Sequence, residues 1–169
     1  MLRPLDIVIL LKIHVLRKPA YGQMRLAALL GVSSRSVNEA IKHGIASRLY
    51  DQERRAINPG AMEDALVHGL RYFIPAERGS MTRGMPTAWA APPLSSLLAA
   101  SNEPPPVWPD PDGTVRGIAL LPLHESVPRA AKEDAELYEL LALTDALREG
   151  RAREARLAAE ELRKRLRQQ

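Results

Sequence analysis

Four histidines, His14, His43, His68 and His124, are the side chains best suited to move protons near neutral pH. None stands at metal-ligand spacing from another, and no His-Glu-x-x-His motif, phosphate loop or dinucleotide glycine fingerprint occurs. His68 reads as a structural residue near Arg71, and His43 as a surface residue. The chain has no cysteine, which excludes disulfides, cysteine nucleophiles and Cys-ligated metals together. Asp110, Asp112 and Gly113 match part of a calcium loop. The other ligands and the closing glutamate are missing, so a turn is expected there. The hydroxyls of Ser80, Ser95 and Ser96 are assigned no base by the sequence pattern. No metal or cofactor is expected, and the chain does not read as an enzyme.

The charges are more informative than the catalytic groups. There are 24 Lys+Arg against 20 Asp+Glu, a formal net charge of +4. They are unevenly placed. Residues 1–58 carry ten basic and four acidic groups, residues 79–147 four and nine, and residues 148–169 eight and four. A basic head, an acidic middle and a basic tail suit a polyanionic partner, at least for the head. Aromatic residues make up 4%, too few for the stacking platforms that hold single strands. Apolar runs such as Ile7–Leu11 are far shorter than a membrane span. Asp6, Lys12 and His14 interrupt the first apolar stretch, so it reads as a helix of a cytoplasmic protein and not as a signal peptide.

Proline divides the chain. Eleven of the 14 prolines lie between Pro75 and Pro128, and long helices cannot cross such runs. The expected units are a head (1–74), a proline-rich arm (75–127) and a tail (128–169). In the head, Leu5 to Leu16 reads as a helix closed by Lys18-Pro19. Gln23 to Leu30 reads as a second helix, stopped by Gly31. Ser33 caps a third that runs to Ile45 or Ser47. Leu49-Tyr50 and Ala56-Ile57 flank a polar segment, as in a small two-stranded hairpin. Pro59 opens a fourth helix with the apolar stripe Met62, Leu66, Leu70 and Phe73. The arm holds Trp89 and Trp108, both expected to be buried, and a hairpin of Val107-Trp108 with Thr114–Leu121 around the Pro109–Gly113 turn. It is expected to be ordered but irregular. The tail reads as two helices, Asp134–Leu147 and Ala152–Leu166, broken at Gly150.

The stretch from Gln23 to Lys42 is the most specific. A tight turn between two closely crossing helices needs a small residue at the contact and one that accepts positive φ. Ala27 and Gly31 supply them. Leu26, Leu30, Val32, Val37 and Ala40 fall at the buried positions. This segment resembles the helix-turn-helix of bacterial transcription regulators. With the hairpin after it, residues 5–74 are similar to the winged helix-turn-helix of MarR- and ArsR-type families. Two positions depart from that pattern. Arg48 stands where such families often carry glycine, so the end of the third helix is expected to differ. Gly44 falls where a strong helix former is usual and is expected to shorten or kink it.

The resemblance implies a mostly α fold and a third helix lying in the major groove. Arg35 would pair with a guanine edge and Asn38 with an adenine. Ser33, Ser34 and Ser36 at the helix N-terminus would hold a phosphate, together with Lys42. Arg54 and Arg55 at the hairpin tip would reach the minor groove or backbone. The expected partner is double-stranded DNA, and the expected function that of a small regulator, a repressor. Winged-helix regulators commonly dimerise through added terminal helices. Leu137, Leu140, Leu141, Leu162 and Leu166 are therefore the expected homodimer contacts, with Leu5–Leu16 as a second candidate. The rival reading is an antitoxin-like adaptor whose arm and C-terminal helices bind a partner protein.

Overall fold

The computed structural model describes residues 1–17 and 21–168; the expected closure at Lys18-Pro19 lies outside them. The first helix, α1 (Pro4–Leu16), is apolar on every side, and Asp6 to Lys12 are all buried. Such a helix must be enclosed by other elements. Around it stand α2 (Gln23–Leu30), α3 (Ser34–Ala46) and a hairpin of β1 (Tyr50–Asp51) and β2 (Ala56–Ile57). The helical stretch that follows begins with α4 (Pro59–Asp64), widens into a π-helical segment (Ala65–Gly69) and ends as α5 (Leu70–Phe73). These elements match the reading of the head closely. Ser33 caps α3, its hydroxyl accepting from the Ser36 amide at 3.0 Å. Gly31 adopts φ +66° at the turn, which glycine alone does without strain. Met62, Leu66 and Leu70 are buried as expected, but Phe73 is 85% exposed, because the widened π turn ahead of it alters the direction in which the helix face continues.

The arm is a sheet. β3 (Arg78–Pro86), β4 (Pro106–Pro109) and β5 (Val115–Leu120) each bond to the other two, so the three strands close on themselves. β3 runs antiparallel to both. β4 and β5, expected to form an antiparallel hairpin, pair in parallel. The Asp110 turn does form: its carboxylate accepts from the Asp112 amide. It leads into β5 as the partner of β3. Closure on so few strands needs close backbone approach, and a Cβ on Gly84 or Gly117 would collide with the carbonyl oxygen of Trp108 or Pro105. β3 carries two glycines, two arginines and one proline instead of an apolar alternation, so its sequence gives no strand signal. Trp108 is buried, whereas Trp89 remains partly exposed.

A short helix α6 (Leu94–Leu97) lies between β3 and β4, and α7 (Val127–Glu133), α8 (Ala135–Glu149) and α9 (Ala152–Arg167) complete the chain, with Gly150 at φ +73° ending α8. Here the structure corrects the dimer expectation. Leu137, Leu140, Leu141, Leu162 and Leu166 are all buried within one chain, in the same apolar cluster as Ile7–Leu11. Their stripe is covered by α1, by the α4–α5 stretch and by each other, so none is left to face a second copy. Within the second candidate, Leu5–Leu16, the run Asp6–Lys12 is likewise buried, packed with α3 and α8 around it.

α8 also fastens the arm. Asp145 accepts from Trp108 Nε1 at 2.6 Å and Thr87 Oγ1 at 2.8 Å, and Arg148 donates to it at 2.7 Å. Arg148 also donates to the carbonyls of Ile74, Pro75 and Leu121. Burial pushes the Asp145 carboxyl up, while Arg148, Thr87 and Trp108 oppose that rise. Nearby, the Tyr138 hydroxyl donates to the Pro86 carbonyl at 2.6 Å, and desolvation lifts its pKa to about 12. Removing one member of a buried pair leaves the other charge uncompensated. Asp145→Ala is therefore expected to lower stability by about 3–5 kcal/mol, read by urea denaturation; a loss under about 1 kcal/mol would contradict this role.

Candidate nucleic-acid interface

α3 turns Val37, Ala40 and Gly44 inward. Gly44 does not break the helix, which runs on to Ala46. A Cβ there would press on the Cβ of Tyr50 and on Leu10 at 3.0–3.3 Å, so the missing side chain lets α3 lie close against α1 and the hairpin. Arg48 adopts φ +60° just after the helix. It takes the left-handed turn that glycine would, at a cost of roughly 1 kcal/mol.

The opposite face of α3 is exposed. Ser34, Arg35, Asn38 and Lys42 all lie on it, at helical spacing and open to solvent. Arg35 is 88% exposed and donates to Glu39 Oε1 at 3.0 Å. Lys42 has no ion-pair partner among the described residues. Ser33 and Ser36 are engaged differently from the expectation. Their hydroxyls lie 2.9 Å apart and the Ser33 oxygen holds the cap, so the cap already uses part of the capacity assigned to a phosphate. The hairpin tip carries Arg54 and Arg55, both exposed. Arg54 lies 3.7 Å from Asp51 Oδ2. Arg55 borders a cleft of about 290 Å³ whose other walls include Ile41 and Ile45 of α3 and Tyr21. The structure thus brings the hairpin arginine to the flank of α3.

One network on the other flank was not read from the sequence. Buried Asp6 accepts from Arg3 and lies 2.7 Å from His43 Nδ1, and Arg3 reaches on to Glu39 at 2.8 Å. His43 is therefore a tie between α1 and α3 and not a free surface group. Arg3 and Asp6 stand three apart at the start of a helix, a capping signal that was available; their long-range partners were not. The remaining histidines are scattered. His14 Nε2 lies 3.0 Å from the Arg165 carbonyl, His124 faces Ser126, and His68 is exposed. No group of three or more His, Asp or Glu able to hold a metal ion occurs among the described residues. No described helix is long and apolar enough to cross a membrane.

Desolvation alone would raise the Asp6 carboxyl, but hydrogen bonds from Arg3 and His43 outweigh it and hold the pKa below its ordinary 3.8. A lowered folded pKa gives stability that is complete above the ordinary value and is lost as pH falls through the folded one. Asp6→Asn is accordingly expected to cost about 1–3 kcal/mol near neutral pH. The gap from the unaltered chain should close below pH 3.8, as followed by denaturation across an acid series. A gap that persists unchanged into strong acid would contradict the ionic role.

No family model, curated protein or solved structure matches the chain.

Proposed function

We propose that the chain binds double-stranded DNA sequence-specifically through α3, as a small transcription regulator of the winged helix-turn-helix type, acting as a repressor. The observation that carries the proposal is the uncovered face of α3, with Arg35, Asn38 and Lys42 at helical spacing and the hairpin arginines beside it. The order of α1, α2, a three-residue turn, α3 and a hairpin supports it. So does the basic head, with ten basic groups against four acidic ones in residues 1–58.

Arg35 would exchange Glu39 for a guanine edge. The exposed pair contributes at most about 1 kcal/mol, less than a good bidentate base contact, so the exchange is favourable. Asn38 would face an adjacent base. Lys42, Arg54 and Arg55 would sit against phosphates, while Glu39 keeps its pair with Arg3. The partner-binding rival uses the arm and the C-terminal helices, and the tail leucines it would offer lie in the core.

A selection on random duplex DNA supplies the site. On that duplex, Arg35→Ala is expected to weaken binding by about 1–3 kcal/mol and relax preference at one base position. Lys42→Ala or Arg54→Ala should weaken all sequences alike and flatten the salt slope. Anisotropy titrations at several salt concentrations measure both. Unchanged affinity for Arg35→Ala and Asn38→Ala would take α3 out of the groove.

A further inference from the structure

An apolar pocket of about 440 Å³ lies between the start of α1 and the α4–α5 stretch. Its walls include Ile7, Leu49, Met62 and Leu66, each no more than 5% exposed. These buried residues share the lining with Met1 and Phe73, both exposed, so the pocket opens to solvent on that side. Two small residues, Ala65 and Gly69, complete the helical wall. They begin and end the π-helical segment, where the turn is wider than in an α-helix. A Cβ placed on Gly69 would meet nothing within 4 Å. The emptiness is therefore written into the sequence twice, by residue size and by helix type. Phe73, the one phenylalanine of the chain, stands at the mouth and turns outward instead of filling the space.

Apolar lining left against water is a cost that an apolar guest would remove. The volume falls within the range of small-molecule sites, which are mostly apolar clefts. None of the wall side chains is polar or charged. No wall side chain is present to orient a phosphate, a sugar or a carboxylate among Ile7, Met62 and Leu66, where a charged guest would be stripped of water.

We propose that this cavity is a binding site for an uncharged, apolar small molecule of aromatic or branched aliphatic character. It is separate from the exposed face of α3 and stands whether or not that face binds DNA. Filling the space from within is the direct challenge. Gly69 has right-handed backbone angles, φ −110° and ψ −46°, so leucine is accommodated there without strain and improves helix propensity.

The test is a fluorescence titration of the full chain with N-phenyl-1-naphthylamine, an uncharged probe that brightens in apolar surroundings. Saturable binding of one probe per chain, displaced by naphthalene, is expected. Gly69→Leu should weaken it by about tenfold or more while leaving the circular dichroism spectrum unchanged and the thermal midpoint equal or higher. Ala65→Leu, filling the same space from one helical turn earlier, should do the same. Absence of saturable binding would overturn the proposal, as would equal binding by both filled variants. Sedimentation of the same samples covers another occupant. A dimeric chain that becomes monomeric in Gly69→Leu would assign the pocket to a second copy and overturn the ligand.

Discussion

A helix with no polar side cannot lie on a surface, and α1 is such a helix. Its burial from Asp6 to Lys12 obliges α3, the hairpin and α8 to close around it. The two charged residues at the ends of that run are not left bare. Asp6 is held by Arg3 and His43, and Lys12 by Asp134 at 2.5 Å. Buried charges that are each paired contribute little net stability but fix position, because losing a partner is costly. Asp134 also caps α8 through the Leu137 amide. One carboxylate thereby sets both the start of α8 and its register against α1. From this constraint follows the placement of α3, which packs on α1 through Gly44 on one side and leaves its polar face outward.

The second organising contact is the Asp145–Arg148 pair of α8. It gathers Thr87 from the segment after β3, Trp108 from β4, and the carbonyls of Ile74, Pro75 and Leu121. A proline-rich arm has few backbone donors with which to bond to neighbours. A guanidinium that can serve several carbonyls at once is well suited to holding it. The arm is thus anchored through its acceptors, and the three closed strands present no long free edge.

Local signals carried most of the head and the helix break in the tail. The Ser33 cap, the Gly31 turn, Pro59 at a helix start and the Gly150 stop are each decided within a few residues, and each element lies where those residues indicate. What depended on distant partners was not legible. β3 has no apolar alternation, because its burial is uneven and close approach requires glycine at Gly84 within it, as at Gly117 in β5. The leucines of α8 and α9 have the pattern of an interface, but a helix stripe does not reveal whether its cover comes from the same chain. Here α1 supplies it. On α3, the exposure of Arg35, Asn38 and Lys42 followed from helical period alone, whereas the roles of His43 and Glu39 depended on Arg3 and Asp6, more than thirty residues away. The tail's acidic and basic groups pair largely with each other or with Glu63 and Glu103. A stretch of like charge in sequence therefore does not become a free cationic surface.

The account turns on whether the uncovered face of α3 meets a duplex. Backbone amide chemical shifts of the labelled chain, recorded as a short duplex is added at low salt, test this most directly. The largest changes are expected in Ser34–Lys42 and at Arg54 and Arg55, with α8 unmoved. Changes centred elsewhere on the surface, or none at any duplex concentration, would contradict it.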